Sequence, residues 1–245
     1  MKRYIPIVII SFFSIDAFAI EKYKDNYFLP HYHEKNVNQK RFAPMNPNGG
    51  DVNDTLIQFQ FSLKYSIYGN DSNGLFLAYT QRSNWEAYEK SAYFRDNDFN
   101  PALFYSYTML DSLNLSLGVE HQSNGAGGTN EVSWNRGFLD IKYEGEHGYV
   151  RVKPWVRFSD KTDYNPDIED FLGNFEMEAL YNITENTTLR MLVRNPFEKN
   201  YYETSFTFPI FGRLKGYIMY ESGYGSTISN YDFKSDSYGV GFSLN

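Results

Sequence analysis

Residues 113–123 read Leu113-Asn114-Leu115-Ser116-Leu117-Gly118-Val119-Glu120-His121-Gln122-Ser123, and their alternation decides the fold. Leu113, Leu115, Leu117 and Val119 share one row; Asn114, Ser116, Gly118 and Glu120 share the other. A period of two is that of a β-strand, whose successive side chains point to opposite faces. Residues 132–143 repeat the pattern, with Leu139, Ile141 and Tyr143 in the row of Asn135 and with Asp140 and Lys142 opposite. One apolar face and one polar face on these two strands fit a barrel with lipid outside and water inside. His121, Ser123 and Asn135 then fall on the lipid-facing rows. A polar side chain facing lipid is costly and reads by default as functional.

The chain holds twelve strand candidates: 26–33, 54–68, 75–83, 101–109, 113–123, 132–143, 148–158, 173–181, 187–195, 201–209, 214–222 and 237–244. Most have the length that a tilted transmembrane strand needs. Short polar turns (69–74, 111–112, 144–147, 184–186) alternate with long polar segments (84–100, 124–131, 159–172, 223–236), and 34–51 reads as a loop joining the first two strands. This is the short-turn, long-loop pattern of a twelve-stranded antiparallel transmembrane β-barrel, with both termini on the periplasmic side. Aromatic residues make up 19% of the chain, with 22 Tyr and 21 Phe. Such residues favour strands and form girdles at both membrane interfaces.

The first residues set the compartment. Met1-Lys2-Arg3, an apolar run from Tyr4 to Ile15, and Ala17-Phe18-Ala19 read together as a secretory leader at 1–19. Residues 20–245 are then one outer-membrane barrel domain of a Gram-negative bacterium. No later run is long enough for a spanning helix. Without cysteine there is no disulfide framework and no thiolate metal site. A net charge of −7 argues against a nucleic-acid partner.

Nucleophilic catalysis needs a nucleophile, a base within reach and a group that orients the base. His121 and Ser123 are two residues apart on one strand face, about 6.8 Å between Cα atoms by the strand rise. Histidine titrates near working pH and suits the base. Asn135, on the neighbouring strand, can accept from the far ring nitrogen without placing a carboxylate against lipid. His31 and His33 also share a face, and a rim pair is the plainer reading than a metal site. His147 reads as a solvated turn residue, Trp85 as a loop residue at the headgroups, and Trp134 and Trp155 as girdle or packing residues. Taken alone, the pair His121–Ser123 is weak evidence, and a pore or adhesin stays open as an alternative.

The wider strings narrow the choice. Glu120-His121-Gln122-Ser123-Asn124-Gly125 followed by Ser133-Trp134-Asn135-Arg136 resembles the bacterial outer-membrane phospholipase A family, with its H-x-S-N-G and S-W-N-R strings. Asn26-Tyr27-Phe28-Leu29, Ala78-Tyr79-Thr80-Gln81, Phe94-Arg95 with Asn100-Pro101, Lys153-Pro154-Trp155 and Asn165-Pro166-Asp167-Ile168 extend the likeness over nearly the whole mature chain. A lipid A deacylase, another barrel enzyme with His and Ser on a strand, fits the S-W-N-R string and the loop order less well.

The resemblance implies a calcium-dependent hydrolase of phospholipid acyl esters (phospholipase A1 and A2, also lysophospholipase) that acts as a homodimer. It implies Ser123 as nucleophile, His121 as base, Asn135 as orienter and the Gly125 amide as oxyanion donor. For Ca2+ it implies the Ala126 carbonyl, Glu131 where the family has Ser, and Ser91 contributed by the partner subunit. Asp163 falls nearest to a further calcium site. Gln81, continuing the outward row Leu75, Leu77, Tyr79, is implied at the dimer interface.

Overall fold

The computed structural model describes residues 20–70, 72–158 and 164–244. The expected leader at 1–19 and Asp163 lie outside them. The strands among the described residues are β1 (Ile20–Lys22), β2 (Tyr27–Glu34), β3 (Thr55–Asn70), β4 (Asn73–Glu86), β5 (Tyr93–Leu110), β6 (Leu113–Ser123), β7 (Ser133–Gly145), β8 (Gly148–Phe158), β9 (Phe175–Thr184), β10 (Thr187–Arg194), β11 (Tyr201–Phe211), β12 (Leu214–Tyr224) and β13 (Lys234–Leu244). From β2 onward each strand pairs antiparallel with the next, and β13 returns to pair with β2. Twelve strands therefore close into a barrel, which leaves no unpaired ladder edge to desolvate in hydrocarbon. The connections after β3, β5, β7, β9 and β11 are short, and those at the other end are longer.

The thirteenth strand, β1, was not expected. It and β2 both pair with β3, but Lys22 faces Leu63 while Tyr27 faces Gln60, so four residues of one strand oppose two of the other. The surplus bulges into the lumen. Tyr23 stacks on Phe104 with centroids 5.4 Å apart, and Lys24 Nζ donates to Asn100 Oδ1 at 3.3 Å.

The period-two reading holds on both faces. Leu117 and Val119 are 68% and 48% exposed on the outside, whereas Ser116 and Glu120 are buried inside. The lumen is tied by ion pairs: Arg82 with Glu203 and Glu221, Arg190 with Glu178 and Glu203, Arg151 with Asp140 and Glu176. Charges out of bulk water persist only when paired in this way. The lipid row carries a direct test. Leu117→Arg puts a charge against the hydrocarbon and should cost about 2–4 kcal/mol near the midplane. The expected result is a lower urea midpoint for the folded barrel in detergent or lipid; an unchanged midpoint would mean that Leu117 does not face lipid.

One expected loop is mostly strand. Of residues 84–100, only 87–92 leave the sheet. The polar residues that suggested a loop line the interior: Arg95 Nη1 pairs with Glu86 Oε1 at 3.1 Å, and Asp96 and Asn100 are buried. A polar lumen removes the contrast between strand and loop. Trp85 is accordingly a β4 residue rather than a loop residue, its ring 6.0 Å from that of Phe94. Trp134 and Trp155 pack inside the barrel at 6.1 Å, with the Arg136 guanidinium over both rings.

Candidate active site

β6 and β7 pair without a break from Leu113↔Tyr143 to Ser123↔Ser133, which sets His121 directly opposite Asn135. His121 Nδ1 and Asn135 Oδ1 lie 2.9 Å apart. A carboxamide oxygen only accepts, so in this arrangement Nδ1 carries the proton and Nε2 is left as the basic nitrogen. Ser123 follows on the same outward row, two residues along. At its level the neighbouring strands present Gln81, Phe99 and Ser133.

Gly125 is the second residue of the connection after β6. Its φ is +68°, and a Cβ there would come within 2.6 Å of the Phe99 ring. Both facts call for glycine: the left-handed conformation is cheap only for it, and the ring leaves no room for a side chain. Asn124 organises the rest of that connection. Its Oδ1 accepts from the amides of Ala126 and Val132, each at 3.1 Å, and its Nδ2 donates to the Asn130 carbonyl at 2.8 Å. The two ends of the loop are thereby pinned to one side chain.

Glu131 lies at the far end of the loop, where Ser133 Oγ donates to its Oε1 at 3.1 Å. Asn165, of the Asn-Pro-Asp-Ile string, accepts from the Ser133 amide at 2.9 Å. Asp167 accepts from the Tyr231 hydroxyl at 2.8 Å. Burial, together with that carboxylate, holds the Tyr231 phenol above its usual range, so it stays a neutral donor. The string thus links the connection after β8 to those after β6 and β12.

Other expected residues are spread more widely. Ser91 belongs to the connection after β4, and its carbonyl accepts from Asn48 Nδ2 at 3.0 Å. Gln81 keeps its place on the outward row of β4, accepting from Tyr79 Oη and donating to Ser83 Oγ, both at 3.0 Å. His31 and His33 pack against Tyr238 at the rim, and His147 against Tyr181. Among the described residues, no group of three or more His, Asp or Glu is placed to hold a metal. Phe99 escaped the sequence reading, and Asn124 entered it only as a letter of the H-x-S-N-G string, without a role. An Asn just before a left-handed Gly is a turn signal that could have flagged Asn124; Phe99 sat in an expected loop.

The profile of the phospholipase A1 family matches residues 13–244. The chain belongs to that family. A phospholipase A1 of Proteus vulgaris is 29% identical over 243 residues, covering 94% of this chain and 83% of its own. A protein of Neisseria meningitidis serogroup B is 29% identical over 255 residues; this chain is covered to 93% and spans 65% of that protein's length. The solved outer membrane phospholipase A of Escherichia coli superposes with a TM-score of 0.86 at 25% identity, covering 94% of this chain and 93% of that one. An outer membrane phospholipase dimer of Salmonella typhi with bound calcium gives the same TM-score and identity. With its closed barrel, this phospholipase A1 family member is an outer-membrane β-barrel protein of the Gram-negative type.

Proposed function

We propose that this barrel hydrolyses the acyl esters of membrane phospholipids, at both glycerol positions and on lysophospholipids, with Ser123 as nucleophile, His121 as general base and Asn135 as orienter. The observation that carries the reading is the 2.9 Å contact between His121 and Asn135 on the lipid side of the wall, one strand repeat from Ser123. A pore has no use for that pair on its outside. The lumen also fits a pore poorly. Its polar cavity, about 510 Å³, is crossed by paired charges and bordered at one end by Ser226 and Ile228.

In the proposed reaction the ester carbonyl carbon meets Ser123 Oγ while His121 Nε2 takes the hydroxyl proton. Asn135 Oδ1 holds the imidazole in one tautomer and steadies the imidazolium, less strongly than a carboxylate would. The Gly125 amide donates to the oxyanion. His121 returns the proton to the departing lysophospholipid oxygen, then activates the water that frees the fatty acid. The outward site receives its substrate from the membrane itself.

The donors around the loop suit a hard cation. The Ala126 carbonyl, the Glu131 carboxylate and the nearby Ser133 hydroxyl are all oxygens, as Ca2+ requires. They make only part of a shell of six to eight oxygens. We assign the remainder to water and to Ser91 of the partner subunit, with Asp163 at a second site and Gln81 at the interface of a homodimer. When bound, Ca2+ would supply positive charge to the oxyanion, which Asn135 does not.

The test is fatty-acid release by purified protein in detergent, first with Ca2+ and then with excess chelator, the products being sorted by glycerol position. Release should fall at least about 100-fold with chelator, the scale of one lost oxyanion contact. Undiminished release would remove Ca2+ from the reading, and release from one position only would restrict the enzyme to that position.

A further inference from the structure

The wall that carries His121, Ser123 and Asn135 has a second side. Behind it the connection after β12 folds inward, and Ser226, Thr227, Ile228, Ser229 and Asn230 are each no more than 6% exposed. A polar segment buried this deeply must have its hydrogen bonds met, and these are met largely on the active-site wall. Thr227 Oγ1 and Ser229 Oγ donate to the two oxygens of Asp96, at 2.5 and 2.6 Å. The Ile228 amide donates to Asp98 at 3.3 Å. Asp98 also takes Gln122 Nε2 on both oxygens at 2.9 Å, while Gln122 Oε1 accepts from Trp134 Nε1 and Arg136 Nη2, each at 3.0 Å. Gln122 is the residue between His121 and Ser123, so its side chain anchors the peptide joining the two.

The most directional link runs through Ser229. Its proton is committed to Asp96, which leaves its oxygen to accept from Asn124 Nδ2 at 3.0 Å. Asn124 spends its other bonds on Asn130, Ala126 and Val132. The carboxamide is fully used, and its orientation is set from inside the barrel. Gly125 is then held between that side chain and the Phe99 ring.

We propose that the inward-folded segment is a brace for the active-site wall, and that Ser229, acting through Asn124, is a positioning residue for the backbone of Gly125. This rests on reading Ser123 and His121 as nucleophile and base. The brace acts on transition-state geometry rather than on substrate binding, because the Gly125 amide matters only once the oxyanion forms. A displacement of about 1 Å in such a donor costs up to about 100-fold in rate.

The test is a double-mutant cycle on phospholipid hydrolysis in detergent micelles, each variant being checked for its folded form by gel mobility before and after heating. Ser229→Ala should lower kcat about 10- to 100-fold and move KM less than about threefold. In an Asn124→Ala background the same change should have almost no further effect, since its route is already cut. Ser116→Ala, the loss of another buried hydroxyl toward the other end of β6, should lower the melting point while leaving kcat in place. Should Ser229→Ala not fold, Asn124→Asp carries the test: it keeps the acceptor, loses the donation to Ser229 and Asn130, and should show the same loss of kcat. Multiplying effects in the cycle, an unchanged kcat in Ser229→Ala, or an equal loss in Ser116→Ala would each overturn the brace. If Ser123→Ala remains active in the same assay, it is the functional reading that fails instead.

Discussion

Ser123→Ala should lower kcat for phospholipid hydrolysis by at least about 10³-fold with the barrel intact, because it removes the atom that forms the acyl-enzyme and nothing that holds the wall together. The contact between His121 and Asn135 does not involve Ser123, and the neighbours of Ser123 on β5 and β7 are met through backbone pairing. Whatever rate survives would come from the Gly125 amide acting on water attack. Asn135→Ala should cost less, since the base remains and only its tautomer and orientation are freed. The ordering is therefore part of the prediction: Ser123→Ala below Asn135→Ala, with neither variant melting earlier than the parent by more than a few degrees. Fatty-acid release with a micellar substrate measures the first, and gel mobility against temperature the second. A Ser123→Ala protein with parental turnover would end the assignment of the nucleophile.

Glu120→Ala should give the largest loss of stability. Glu120 neighbours His121 in sequence but points the other way, into the lumen. Its carboxylate meets Lys153 Nζ and Arg136 Nη2, both at 2.8 Å, and the side chains of all three are no more than 8% exposed. Removing the carboxylate leaves two buried cations with no anion between them. Breaking a buried pair in this way costs about 3–5 kcal/mol. The urea midpoint of the folded barrel is the measurement, and a shift below about 1 kcal/mol would mean that the lumen is wetter than its packing implies. Activity should fall as well, but by loss of folded protein, so the surviving folded fraction should keep a near-parental KM.

The contrast between these two neighbouring positions explains what could be read in advance. The alternation from Leu113 to Ser123 separates lipid from lumen because each strand has one wall against hydrocarbon and one against water. That asymmetry is plain on β6 and the outer part of β7, so the outward placement of His121, Ser123 and Asn135 follows from the order of residues; on β2, β4, β5 and β12 the inner row also carries Leu29, Phe76, Phe104 and Met219, all buried. Residues 84–100 resisted the same treatment: inside a barrel, a polar residue on a strand and a polar residue on a loop look alike. Tyr23 and Lys24 resisted it too, since a bulge is a matter of register between two strands and leaves no mark on either one alone.

Within the site, the local pieces were legible and the long-range ones were not. His121, Ser123 and Gly125 lie within five residues, and Asn135 is one hairpin away, so strand period and hairpin register bring them near one another. Ser229 meets Asn124 across 105 positions, and Thr227 meets Asp96 across 131. No periodicity links such partners; they meet only because a closed barrel returns its last strands to its first and lets a polar connection sink into the mouth. The sequence alone thus determined a lipid-facing wall and the three side chains on it, because hydrophobic periodicity is local. What stands behind that wall depends on the closed barrel, because hydrogen bonds inside its lumen pair residues by proximity in space.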